Sequence, residues 1–105
     1  MTRLVEVLSF GGCPHADAAL ALARRAVAGV GVDATLRPVE VPDAESAAAT
    51  RFLGSPTIRV DGRDVEPGAE ARGDCVLACR VYGSGEVGVR GEPEERWLRE
   101  ALTRS

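Results

Sequence analysis

The chain has 105 residues, of which 45% are hydrophobic and 28% are charged, and its formal net charge is -3 at neutral pH. This length fits a single domain spanning residues 1–105, and the composition is typical of a folded globular protein rather than a disordered one. The 13 basic residues besides the lone histidine are all arginines, scattered among acidic residues, and this pattern argues against nucleic-acid binding.

The chain also lacks the signals that direct a protein to or across a membrane. No apolar run approaches the roughly 20 residues of a membrane-spanning helix. The N-terminus has no basic segment followed by a hydrophobic stretch and a cleavage site, so we expect no signal peptide. We therefore expect a cytoplasmic protein, in which cysteines serve catalysis or metal binding more often than structural disulfides.

The first predicted elements are a strand and a long helix. Residues 4–10 form a short apolar run that predicts a buried strand, which Gly11 and Gly12 end. Pro14 suits the first turn of a helix, because its missing N–H costs no hydrogen bond there, and the pattern predicts a helix over 14–28. The side chains expected on the apolar face of this helix are Ala16, Ala19, Leu20, Ala23 and Val27.

A second strand and a second helix follow. Residues 33–41 alternate apolar and polar side chains, which predicts a strand, and Pro38 within it favours a sheet edge or a bend. Asp43 is a suitable N-cap for a helix over 44–52, and Gly54 ends that helix.

The last third of the chain predicts strands and a closing helix. Residues 55–62 indicate a third strand, with a tight hairpin turn at Asp61-Gly62. Residues 66–80 have no clear pattern, and 80–89 contain a possible second hairpin. Pro93 opens a final helix. The apolar stripe of that helix consists of Trp97, Leu98, Ala101 and Leu102.

Three short stretches together resemble the thioredoxin superfamily. They are "GGCPH" at 11–15, "GSPT" at 54–57 and "LACRVY" at 77–82. The ordered set is similar to a group of small bacterial thioredoxin-like proteins, some of which are labelled alkylmercury lyases. The resemblance implies an α/β fold, namely a three-layer thioredoxin-like sandwich with a central mixed sheet flanked by helices.

Cys13 is the predicted nucleophile. It lies where a strand passes into a helix, and the N–H groups and dipole of a helix N-terminus stabilise a thiolate. A thioredoxin-type second cysteine would stand at position 16, which is Ala16. The neighbouring His15 and Asp17 are interpreted as ordinary residues of the helix start, although Asp17 would be a possible match to the aspartate of organomercurial lyase.

The resemblance also assigns a substrate-binding loop. In the thioredoxin plan the segment with Ser55, Pro56 and Thr57 faces the active cysteine. The Ser55-Pro56 bond is then a candidate cis peptide, and the backbone of Ser55 would pair with an extended peptide or a small thiol.

Two further cysteines, Cys75 and Cys79, form a C-x3-C pair. Cys79 lies in the stretch that matches the family, so it is the candidate resolving partner of Cys13. A tetrahedral zinc site would lack ligands, because His15 is the only histidine. The three thiolates of Cys13, Cys75 and Cys79 would suit a soft ion such as Cu(I) or, by extension, Hg(II).

These features lead to one main hypothesis and two alternatives. The main hypothesis is a thiol protein, with no required cofactor, that uses Cys13 and Cys79 on a small thiol, a disulfide or a protein thiol. It would be a thiol–disulfide oxidoreductase or a protein related to organomercurial lyase. The alternatives are a soft-metal or mercury-handling thiolate protein and a partner-binding domain without catalysis. The sequence leaves the oligomeric state open.

Overall fold

A computed structural model of the chain describes residues 2–13, 15–66, 82–84, 88–90, 93 and 95–103. Two βα units are followed by two hairpins and a final helix. The elements are β1 (Arg3–Ser9), α1 (Ala16–Val30), β2 (Ala34–Glu40), α2 (Ala44–Ala49), β3 (Thr57–Val60), β4 (Arg63–Asp64), β5 (Tyr82–Ser84), β6 (Gly88–Arg90) and α3 (Glu95–Thr103).

The first four strands form one mixed, open sheet in the order β2-β1-β3-β4. Strand β1 pairs in parallel with β2 and antiparallel with β3, and β3 pairs antiparallel with β4. Strands β5 and β6 pair antiparallel in a separate two-stranded sheet. The chain therefore has an α/β fold, as the element order predicted.

The two faces of the sheet carry different apolar clusters. Successive side chains of a strand point to opposite faces, so Val7 faces one side of β1 and Leu8 the other. Helices α1 and α3 pack against each other over the Val7 face, and α2 lies on the Leu8 face. The main core contains Val5, Val7, Ala19, Leu22, Ala23, Ala26, Ile58, Val60, Val65, Trp97, Leu98 and Leu102. The minor core contains Leu8, Val41, Ala47 and Phe52.

Helix α1 begins and ends two residues later than predicted. It starts at Ala16 and continues to Val30, where Gly31 adopts a φ of 76° and donates its N–H to the Val27 carbonyl. This left-handed position is one that glycine occupies at low cost. The predicted apolar face was displaced, because Leu20 and Val27 are only partly buried at its border. The buried positions of α1 are Ala19, Leu22, Ala23 and Ala26.

Helix α2 is shorter than the predicted 44–52. The Asp43 side chain caps it by accepting the Ser46 N–H at 2.8 Å, as the sequence predicted. Arg51 has a φ of 56°, which ends the helical path. The chain then turns inward and buries Phe52 completely in the minor core.

Pro38 lies on an edge strand at a position where its missing N–H costs no ladder bond. The Arg3 N–H donates to the Asp33 carbonyl at one end of β2, and the Val41 N–H donates to the Ser9 carbonyl at the other end. The odd-numbered residues from 33 to 41 are therefore the ones whose backbone groups face β1. Backbone groups of a strand alternate in direction, and Pro38 therefore faces the open side of β2. The predicted edge location is confirmed, and proline there discourages pairing with another chain.

The turn between β3 and β4 is tied to β1 through Asp61. Asp61 and Gly62 have φ values of 52° and 83°, which fit the predicted tight hairpin. The Asp61 carboxylate accepts the Leu4 N–H at 2.9 Å and pairs with the Arg3 guanidinium at 2.8 Å. The Leu4 N–H, and secondly the Arg3 side chain, hold the pKa of Asp61 below its usual value.

The later part of the chain is described only in places. The possible hairpin at 80–89 corresponds to β5 and β6, while residues 67–81 and 85–87 lie outside the described residues. Helix α3 buries Trp97, Leu98 and Leu102, in agreement with the predicted stripe. None of the helices in the described part of the chain has the length and apolar character needed to cross a bilayer.

The Asp61 contacts predict a loss of stability on the acid side. A carboxylate whose pKa falls on folding stabilises the native state above the unfolded pKa, and that contribution disappears as the pH drops through the folded pKa. Asp61→Asn should therefore unfold at lower denaturant concentration than wild type at pH 7, and the difference should shrink below about pH 4. Urea titrations between pH 2 and pH 7 measure this.

A matched control is Asp33→Asn, which removes an exposed carboxylate that has no hydrogen-bond partner among the described residues. It should leave the pH profile of the unfolding midpoint close to that of wild type. A difference between Asp61→Asn and wild type that stays constant from pH 7 to pH 2 would contradict the stabilising role of these contacts.

Candidate functional site

Cys13 follows a tight turn at the carboxyl end of β1. The Cys13 N–H donates to the Phe10 carbonyl at 3.2 Å, which closes a four-residue turn. Gly12, the third residue of that turn, has a φ of 83°, a conformation that favours glycine and is typical of a type II turn. The two glycines before the cysteine therefore provide the turn that presents it.

Cys13 also leads directly into α1. The Ala16 N–H donates to the Cys13 carbonyl at 3.3 Å, and the Ala19 N–H donates to the His15 carbonyl at 3.0 Å. His15 occupies the N-cap, and its side chain makes no capping hydrogen bond. Cys13 is a free, half-buried thiol beside the first turn of a 15-residue helix, as the sequence predicted for its location.

The loop before β3 contacts this turn. The Phe10 N–H donates to the Ser55 hydroxyl oxygen at 3.3 Å, which joins the residue before Gly11 to the "GSPT" segment. Ser55 is fully buried, and the Ser55-Pro56 peptide bond is cis. The Thr57 hydroxyl donates to the Gly54 carbonyl at 2.6 Å within the same loop. Two of the three stretches in the resemblance thus lie side by side.

The three predicted substrate-binding residues have buried side chains. Ser55 and Thr57 have no exposed surface, and Pro56 is buried to a similar degree. None of the three lines the open cleft next to Cys13. Ser55 contacts the turn through its hydroxyl, and the role of the three residues in substrate binding stays a prediction.

An open cleft of ≈ 410 Å³ lies against Cys13. It is formed where β1 and β2 end and α1 begins, and two of its lining residues, Asp17 and Glu40, are acidic. The Glu40 carboxylate lies over the turn, with Oε1 3.2 Å from the position that a Cβ atom on Gly11 would occupy. The lining residues are Ser9, Phe10, Gly11, Gly12, Cys13, Ala16, Asp17, Pro38, Val39 and Glu40.

Glu40 is the site residue that the sequence reasoning missed. Ser9 is the register partner of Glu40 across the parallel pair β1 and β2. The carboxyl ends of parallel strands meet at one edge of a sheet, so the last residue of β2 lies near the residues that follow β1. The location of Glu40 beside the Cys13 turn can be predicted only if β1 and β2 are known to pair in parallel. A strand–helix–strand order indicates such pairing.

The predicted partner of Cys13 falls in a part of the chain that the structure does not describe. Cys75 and Cys79 lie in the gap between 66 and 82, so their position relative to Cys13 stays a prediction. Within the described ranges, no group of three or more His, Cys, Asp or Glu side chains is arranged to hold a metal ion.

Comparisons of the chain with protein-family models, with curated proteins and with solved structures found no match.

The contact between Ser55 and Phe10 predicts a cost for removing the hydroxyl. Ser55→Ala leaves the part-buried Phe10 N–H without its acceptor, and the loss of a typical hydrogen bond costs about 0.5–1.5 kcal/mol. We expect the free energy of unfolding to fall by that amount, measured by urea denaturation. We also expect the backbone amides of Phe10 and Cys13 to exchange hydrogen faster, because the turn loses its attachment.

Ser9→Ala is the matched control, because Ser9 lines the same cleft and its hydroxyl has no hydrogen-bond partner among the described residues. This variant should change neither the free energy of unfolding nor the amide exchange of Phe10 and Cys13 by much. Equal amide exchange at Phe10 in wild type and Ser55→Ala would show that the hydroxyl does not hold the turn.

Proposed function

We propose that the chain is a thioredoxin-like thiol protein in which Cys13 attacks a disulfide or captures another electrophile. The observation that carries the proposal is the position of Cys13. Its thiol is half-buried, free and adjacent to an open cleft, at the junction of β1 with the first turn of α1. A nucleophile needs this combination of access and a fixed backbone.

The arrangement of the strands supports the thioredoxin-like part of the proposal. A βαβ unit with parallel β1 and β2 is joined to an antiparallel β-hairpin, β3 and β4, and a last helix packs on the same face as α1. This element order is the one expected of the thioredoxin-like plan that the resemblance implies, and it supports the proposal. The contact of the Ser55 loop with the turn before Cys13 agrees with that plan as well.

Two electrostatic influences act on the Cys13 thiolate in opposite directions. The N-terminus of α1 carries the positive end of the helix dipole, which favours the anion. The Asp17 and Glu40 carboxylates in the same cleft disfavour it. The rate at which Cys13 reacts at a fixed pH measures which of the two influences is the larger.

The proposed reaction is thiol–disulfide exchange. The Cys13 thiolate attacks one sulfur of a disulfide, a new S–S bond forms, and the other half leaves as a thiolate that takes a proton from water. Cys79 is the proposed resolving thiol. Its thiolate would attack the mixed disulfide, release the second half of the substrate as a thiol, and leave a Cys13–Cys79 disulfide.

The reactivity of Cys13 is the first test. At pH 6 iodoacetamide should alkylate Cys13 at least about three-fold faster than N-acetylcysteine amide, because a cysteine that acts as a nucleophile reacts faster than a free thiol. Trypsin separates the cysteines, since Cys13 lies in the peptide 4–24 and the other two in 73–80, so mass spectrometry assigns the label. Cys13→Ser removes the fast phase. Labelling of Cys13 at the rate of the free thiol would contradict the proposal.

The pairing with Cys79 is a separate test. Mild oxidation should link the tryptic peptides 4–24 and 73–80 through Cys13 and Cys79, and the link should persist in Cys75→Ser and vanish in Cys79→Ser. The matched pair of variants distinguishes the two neighbouring cysteines. A disulfide confined to 73–80, with Cys13 still reduced, would remove Cys79 as the resolving thiol.

A further inference from the structure

We infer that the cleft beside Cys13 favours substrates that carry positive charge, with Glu40 and Asp17 as the residues that determine this specificity. The inference rests on the proposed function of Cys13 as a nucleophile. It adds the class of substrate: cationic disulfides and thiols, such as amine-bearing ones, in preference to anionic ones.

The charge of the cleft wall is the main observation. Among the described residues, those that line the cleft include two carboxylates and no arginine or histidine. Neither Asp17 nor Glu40 has a hydrogen bond or an ion pair with any residue that the structure describes. Their charges are therefore not neutralised by a neighbouring guanidinium in that part of the chain, as those of Asp61 and Glu95 are.

The two carboxylates lie on different walls of the cleft. Glu40 ends β2 and lies over Gly11, on the turn that leads to the thiol. Asp17 is in the first turn of α1, four residues after Cys13, and lines the same cleft. Both residues line the cleft that Cys13 lines, so a substrate that enters the cleft to reach the thiol meets negative charge.

The expected effect follows from Coulomb's law. Consider a unit charge on the substrate that lies within about 8 Å of a carboxylate at the protein surface. The Coulomb interaction between the two changes the rate of reaction with Cys13 by about two- to five-fold. Salt at high concentration shortens the Debye length to a few Å and should weaken the preference.

The test uses three symmetric disulfides that differ in charge. Cystamine carries two ammonium groups, 3,3′-dithiodipropionate two carboxylates, and bis(2-hydroxyethyl) disulfide no charge. Each reacts by the same step, in which the Cys13 thiolate displaces one half of the molecule as a thiolate. Mass spectrometry gives the rate at which Cys13 reacts with each probe, when the adduct on the peptide 4–24 and any link of 4–24 to 73–80 formed by Cys79 are counted together.

The measured quantity is the ratio of the cystamine rate to the dithiodipropionate rate, compared between proteins. This comparison cancels the intrinsic reactivity of each probe and any change in the thiolate fraction of Cys13. The same carboxylate attracts the cationic probe and repels the anionic one, so its effects on the two rates multiply in the ratio. We expect Glu40→Gln and Asp17→Asn each to lower the ratio about four- to twenty-five-fold, and high salt to lower it in the wild type. Asp33→Asn is the control. It removes one exposed charge just before the start of β2, roughly 23 Å along the strand from Glu40.

The outcomes separate the inference from the function on which it rests. If wild-type Cys13 forms neither an adduct nor a link to the peptide 73–80 with the neutral probe, the proposed function fails and this inference fails with it. If Cys13 reacts but the ratio is the same in wild type, Glu40→Gln and Asp17→Asn, only the charge preference is overturned. An equal drop in Asp33→Asn would also overturn it, because the effect would then reflect net charge and not the cleft.

Discussion

The parallel pairing of β1 with β2 is the constraint on which the candidate site depends. A parallel pair requires a crossover, and α1 provides it by packing its small-residue face on the main core. The carboxyl ends of both strands then meet the N-terminus of the helix at one edge of the sheet. Cys13 follows β1 and Glu40 ends β2, so the thiol and the carboxylate face the same cleft because of topology rather than closeness in sequence.

The hydrogen bond between the Phe10 N–H and Ser55 Oγ adds a second constraint at this edge. It connects the turn before Cys13 to a loop 45 residues further along the chain, and that loop is itself tied internally by the Thr57 hydroxyl. The cysteine is therefore presented from a backbone that two separate segments hold. Ser55 acts as a positioning residue, and the groups proposed to meet a substrate are Cys13 and the two carboxylates of the cleft wall.

Sequence reasoning was most successful where a single local signal decides the structure. Alternating apolar residues, the Asp43 cap and the Asp61-Gly62 turn predicted strands, a helix start and a hairpin that the structure contains. It was less accurate where backbone geometry competes with pattern: Arg51 ends α2 early at a positive φ, and the turn at Cys13 delays α1 to Ala16. Glu40 was missed because its role depends on strand pairing. The Cys13–Cys79 pairing stays a prediction, since Cys79 lies outside the described residues.

We propose that Cys13 is the nucleophile of this protein. The most direct measurement is a competition among its three cysteines for a limiting amount of bis(2-hydroxyethyl) disulfide at neutral pH, quenched with acid within seconds and mapped by tryptic peptides. We predict that the mercaptoethanol adduct forms first on the peptide 4–24, which contains Cys13. Adduct that forms first on 73–80, or on both peptides at the rates of a free model thiol, would contradict the claim.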